Sequence, residues 1–258
     1  MSAAEGLLLD MDGVLTVSWE PIPGAAEAVR RVRDAGLPLR IITSTTSRTG
    51  AEMAANLRRL GIPVEDDEVL TAAMSARDHL LEAHPGARVF VLGDARREDL
   101  EGLRLVGLGE DPEVILVSGA DESFTFGTFN LVHRALLGGA RLVAMHRNLS
   151  WMTHEGECLD AGAYLLGLEA ASGCEAVVTG KPSPEAFRAG LRALDLPAER
   201  VAMVGDAVES DVLAAQRLGI TGVLVRTGKF REGALAAASG RPDHVIDSIA
   251  DLPALLGV

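Results

Sequence analysis

Cysteine is scarce in this chain of 258 residues: only Cys158 and Cys174 are present, and they lack CxxC spacing. Neither a zinc site nor a disulfide framework is indicated, which leaves two buried thiols in a reducing compartment. Basic residues are also in deficit. Lysine and arginine number 24 against 37 aspartates and glutamates, a net charge of −13. That balance argues against nucleic acid or an anionic membrane as a partner, since both select for basic surface. Any anionic substrate must then be met by a local cation. No apolar run approaches the ~18 residues needed to span a bilayer. The few residues before the first apolar stretch leave no room for a signal peptide. A cytoplasmic location is expected. Internal repeats and low-complexity tracts are absent as well.

What is present is ordinary for a soluble enzyme or binding protein. Hydrophobic residues make up 48% and charged ones 24%, in a chain long enough for one large domain or two modest ones. Short apolar runs alternate with helical patterns along its length. Strands are predicted for the run ending at Asp10 and at 37–43, 89–92, 114–117, 142–145, 176–179, 201–204, 220–225 and 244–247. Helices are predicted at 25–35, across Met53, Leu57 and Leu60, and at 71–84, 96–106, 123–137, 161–172, 184–194, after Asp206 to 218, 231–239 and 248–256. A polar, irregular loop is expected over 146–157. This β-α alternation is the signature of a parallel sheet with right-handed crossovers.

The first strand runs directly into chemistry, as Leu7-Leu8-Leu9-Asp10-Met11-Asp12-Gly13-Val14-Leu15. Side chains two apart on a strand point the same way, so Asp10 and Asp12 would share a pocket at its carboxyl end. That edge is where open α/β sheets bind ligands. Two carboxylates so close require a proton or a cation between them, and Mg²⁺ is the hard, oxygen-seeking candidate. By itself D-x-D-G is more often an acidic turn. An EF-hand fails, because Val14 occupies the third ligand position.

Three further polar clusters follow apolar strands: Thr43 with Ser44, then Lys181, then Asp206 with Asp211. Each alone has a plain structural reading, as a helix cap, a surface turn and a capping aspartate. All four on one sheet edge, in this order, is a strong signal.

The set resembles the four motifs of the haloacid dehalogenase superfamily of phosphohydrolases: D-x-D-G-V/T-L, a strand-end Thr or Ser, a Lys, and G-D-x-x-x-x-D. The insert between the second and third motifs resembles the large α/β cap of subfamily IIA. Thr43-Ser44-Thr45-Thr46, Gly180-Lys181-Pro182 and His146-Arg147 look most like the branch that contains phospholysine phosphohistidine inorganic pyrophosphate phosphatase, near the NagD-type phosphatases. The resemblance implies a Rossmann-like α/β core at 1–83 and 178–258 and a cap at 84–177. It implies a Mg²⁺-dependent phosphatase of a small phosphorylated metabolite, working through an aspartyl-phosphate. Asp10 would be the nucleophile and Asp12 the acid/base, an order that spacing alone does not set. Asp10, Asp206 and the Asp12 carbonyl would hold Mg²⁺, with Asp211 behind them. Thr43, Ser44 and Lys181 would hold the phosphoryl oxygens.

Three positions depart from the family pattern: Ser44 where Asn is frequent, Ala207 where Asn or Asp follows Gly-Asp, and Asp160, which sets a negative charge facing a phosphorylated substrate where the related proteins carry a Gly/Pro-rich turn. In the loop after Met145, Arg147, Asn148 and His154 are either leaving-group contacts or members of a solvated surface. A phosphotransferase of the same chemistry and a non-catalytic phospho-ligand sensor are the alternatives to a phosphatase. A homodimer formed through the cap or a sheet edge is compatible with the sequence.

Overall fold

The computed structural model describes residues 4–153 and 156–258. His154 lies outside the described residues. The chain forms two compact units: one runs up to Thr43, takes in Gly50–Leu70 and resumes over Lys181–Val258, and the other comprises Ser44–Thr49 and Thr71–Gly180.

The first unit is built on six parallel strands in the order His244–Ile246, Thr221–Val225, Val201–Gly205, Gly6–Asp10, Leu39–Ile42, Val69–Leu70. Numbered along the chain, this is the order 3-2-1-4-5-6 of doubly wound sheets, whose switch point lies between strands one and four. Here those strands are Gly6–Asp10 and Val201–Gly205. The run of aliphatic residues at 7–9 follows from that central position, because both faces are covered. Leu7 and Leu9 pack with Val29, Met53 and Leu57 on one side. Leu8 packs with Phe187, Met203 and Ala215 on the other.

The second unit has its own parallel sheet, in the order Val177–Val178, Arg141–Ala144, Val114–Val117, Arg88–Leu92, Arg104–Leu105. Along the chain this reads 2-1-3-4-5, the other common doubly wound order. Helices Phe126–Leu137 and Ala161–Ser172 cover one face through Val132, Leu136 and Leu165. Helix Ala72–Ala83 covers the other through Ala73, Ala76 and Leu80. That packing places the helix with the second unit, so the seam falls before Thr71 rather than after residue 83.

Several predicted elements differ. The helix expected at 96–106 is a short 3-10 turn, Arg97–Leu100, followed by the strand Arg104–Leu105. Gly102, at φ +93°, stops a helix from continuing there. The strand at Val177–Val178 pairs with Arg141–Ala144 and so belongs to the second sheet. Part of the loop expected over 146–157 is regular. Ser150–Thr153 and Gly156–Leu159 form an antiparallel pair, with Ser150 opposite Leu159. Val69–Leu70 is an additional edge strand, too short to leave a period in the sequence. Among the described residues no helix is long and apolar enough to cross a membrane.

Phe187 is the largest fully buried side chain and lies against Leu8 and Ile42 beneath the central strand. Phe187→Ala is expected to cost about 3–5 kcal/mol, read as a lower urea midpoint at unchanged slope.

Candidate active site

The carboxyl edge of the first sheet gathers the predicted residues for a topological reason. Asp10 ends its strand opposite Ile42, so Thr43 lies one step beyond on the neighbouring strand. Asp206 follows Val201–Gly205, the strand on the other side. Asp10, Thr43 and Asp206 are 7%, 4% and 2% exposed, and three polar residues this deep need partners.

Lys181 is the central partner. Its Nζ lies 2.7 Å from Asp10 Oδ1 and 2.8 Å from Asp211 Oδ1, with its side chain 6% exposed. Burial alone would push the lysine down, but the attraction of the two aspartates outweighs it and holds the ammonium above its ordinary value. Asp10 Oδ1 also accepts the Met11 N–H at 2.7 Å. Even so, burial pushes Asp10 up to about 7, against the pull of Lys181 and with the help of Asp211. Asp211 Oδ2 accepts the Ala207 N–H at 3.1 Å, which closes the π-helical turn Val208–Leu213 on itself. Gly205 is required for this, since a Cβ there would lie 2.3 Å from that of Asp211.

Asp206 is held differently. Its Oδ2 accepts the Lys229 N–H at 2.6 Å. Its Oδ1 is buried and, among the described residues, has no hydrogen-bond partner. Burial raises this carboxyl as well. Asp12 is exposed, yet the surrounding walls desolvate its carboxyl and raise it, while Lys229 and Lys181 pull the other way.

These donor sets can be tested for a metal. Oxygens of Asp10, Asp206 and Asp211 lie within 4.8 Å of one another. Both oxygens of Asp211 are already taken, by Lys181 and by Ala207 N–H. Among these carboxylate oxygens, Oδ1 of Asp206 is the buried one left without a hydrogen-bond donor among the described residues. Counted as ionised, four carboxylates stand against two ammonium groups, an excess that bound protons or one divalent cation would offset. An all-oxygen site of this kind fits Mg²⁺.

The model of the family "haloacid dehalogenase-like hydrolase" matches residues 7–108, and a second, "HAD-hydrolase-like", matches 178–252. The human haloacid dehalogenase-like hydrolase domain-containing protein 2 is 33% identical over 89% of this chain and 86% of its own length. Rat phospholysine phosphohistidine inorganic pyrophosphate phosphatase is 32% identical over 99% and 95%. This chain is a haloacid dehalogenase-like hydrolase. Among solved structures, a p-nitrophenyl phosphatase from Archaeoglobus fulgidus superposes with TM-score 0.90 at 30% identity, over 98% of this chain and all of that one.

Of the remaining sequence-predicted residues, Ser44 follows Thr43 directly and is exposed. Arg147 holds Glu169 in a two-pronged ion pair, with Nη1 2.9 Å from Oε2. Asn148 engages through its backbone: its N–H reaches His146 Nδ1 at 3.3 Å and its carbonyl accepts the Gly162 N–H at 2.9 Å. Sequence reasoning missed Thr227, Gly228 and Lys229. Their signal was a Thr-Gly-Lys following the apolar strand 220–225, the same kind of position as the other motifs.

Because Asp10 titrates near 7 in the fold against an ordinary 3.8, its ionisation is disfavoured by folding. Stability from this group is greatest below the unfolded value and is lost as pH rises through the folded one. In metal-free protein, the Tm of wild type relative to Asp10→Asn should fall between about pH 4 and about pH 7 and level off above that. A flat or rising difference would mean that Lys181 overrides burial.

Proposed function

We propose that this hydrolase is a Mg²⁺-dependent phosphatase of a small phosphorylated metabolite, working through an aspartyl-phosphate on Asp10. Phosphatase chemistry follows from the family to which the chain belongs. The observation that carries the finer reading is the ammonium of Lys181, gripped between Asp10 and Asp211 beside the unpartnered Asp206 Oδ1.

Phosphate monoesters resist water because an anion must approach a dianion, so the site must supply positive charge and a fixed nucleophile. Lys181 supplies both. It offsets charge on the transferring group, and its hydrogen bond to Oδ1 fixes the Asp10 carboxylate in one orientation. In this reading Asp10 attacks phosphorus, the bond to the leaving oxygen breaks, and Asp12 delivers a proton to that oxygen. Asp12 then takes a proton from the water that cleaves the aspartyl-phosphate. The exposure of Asp12 favours it over Asp10 for this role, since an acid/base must exchange its proton with solvent each cycle. Burial favours Asp10 for the attack. Thr43, at the next strand end, serves as a phosphoryl contact. Mg²⁺, held by Asp10, Asp206 and the Asp12 carbonyl, would neutralise the phosphoryl oxygens when bound. The first unit would be the catalytic core, and the second, inserted in its chain, the cap that selects substrates.

The test is release of inorganic phosphate from p-nitrophenyl phosphate, pyrophosphate, phospholysine, nucleotides and sugar phosphates, with Mg²⁺ and with EDTA. Turnover should require the metal, vanish in Asp10→Asn and drop by about 10²–10⁴ in Asp12→Asn. Binding of phosphorylated ligands without turnover would point to a sensor. Transfer only in the presence of an alcohol or amine acceptor would point to a phosphotransferase.

A further inference from the structure

We propose that Thr227-Gly228-Lys229 is a positioning strap, which locks one oxygen of Asp206 so that the other is presented bare to Mg²⁺. The proposal rests on the Mg²⁺ reading above and assigns a role to residues outside the four motifs. The strap leaves the end of strand Thr221–Val225, which pairs with Val201–Gly205, the strand that delivers Asp206.

Three contacts define it. The Thr227 hydroxyl donates to the carbonyl of Gly13, tying the strap to the turn that follows Asp10 and Asp12. Gly228, at φ +61°, lies against both partners: a Cβ there would come 2.1 Å from Asp206 Oδ2 and 2.4 Å from the Cα of Gly13. The Lys229 N–H then donates to the same Oδ2 at 2.6 Å. Gly13 closes the other side, since a Cβ on it would lie 1.8 Å from that oxygen. Oδ2 is thus walled by two glycines and capped by an N–H.

The consequence is orientational. A carboxylate rotates broadly about its last torsion unless something holds it. With Oδ2 fixed by a charge-assisted hydrogen bond, Oδ1 is left in a buried position with no donor among the described residues. The Thr227 hydrogen bond also ties the loop after Asp10 to the segment that grips Asp206, so the spacing of the two metal carboxylates depends on the strap. Outer-shell groups of this kind typically change metal affinity by about 10–100-fold when removed.

Isothermal titration of metal-free protein with Mg²⁺ tests this directly. Thr227→Val and Gly228→Ala should weaken Mg²⁺ by about 10–100-fold, with circular dichroism and metal-free Tm confirming the fold. Thr227→Ser keeps the hydroxyl and should restore wild-type affinity. Lys229→Met keeps the N–H while deleting the ammonium, so its affinity should equal or exceed that of wild type. Wild-type affinity in folded Thr227→Val overturns the strap, even where Gly228→Ala does not fold. A loss in Lys229→Met as large as in Thr227→Val overturns it as well, by assigning the effect to charge. Failure of the wild type itself to bind Mg²⁺ is a distinct result, which removes the metal reading and the strap with it.

Discussion

The first unit turns on one buried contact, the ammonium of Lys181 between Asp10 and Asp211. Removing one partner from such a buried charge set leaves another uncompensated, typically at about 3–5 kcal/mol. The chain therefore resumes its first unit at Lys181 with a residue that the core needs electrostatically. Two of the four clustered carboxylates are satisfied this way. Asp206 keeps an oxygen without a hydrogen-bond partner among the described residues, and that imbalance is compatible with a divalent cation at the site.

Topology explains why the four motifs, spread over some two hundred residues of sequence, converge. In the order 3-2-1-4-5-6 the strands bearing Asp10 and Asp206 are neighbours, and their crossovers leave in opposite directions. The crevice between them is open at the carboxyl edge. Glycines then set how close the loops approach. Gly205 admits Asp211 beneath it, and Gly13 admits Asp206 beside it. The glycine after Asp12 reads from sequence as a turn residue, and its φ of +91° agrees. The tighter reason is that any side chain there would occupy the space of the Asp206 carboxylate.

Much of this was legible in the residues themselves. The alternation of apolar runs and helical periods gave the α/β class, because buried parallel strands are continuously aliphatic. The strand-end aspartates and Lys181 could be located because each follows such a run. Pairing could not be read. Val177–Val178 looks like any short apolar strand, and only its register opposite Val143 and Ala144 assigns it to the second sheet. The paired strands Ser150–Thr153 and Gly156–Leu159 were hidden because apolar Trp151 and Leu159 are exposed rather than set on a buried face. Arg147 resembled a free cation because Glu169, its partner, is remote in sequence and arrives on helix Ala161–Ser172.

Asp160 shows how the same limit acts on a single charge. In sequence it is an acidic residue in a turn, positioned to repel a phosphorylated ligand. In the fold it is buried as the cap of helix Ala161–Ser172, where Oδ1 accepts the Ala161 N–H at 2.7 Å and the Ala120 N–H at 3.2 Å. A carboxylate at a helix N-terminus meets the positive end of the helix dipole, so its charge is answered locally. Its Oδ2 lies 3.9 Å from His146 Nε2, and burial nonetheless holds that histidine below its ordinary value. Gly162 completes the turn: a Cβ there would come 2.4 Å from the carbonyl of Arg147. The residues around Asp160 are therefore explained by closing helix Ala161–Ser172 onto the segments at Ala120 and Arg147, and Asp160 needs no ligand to account for its charge.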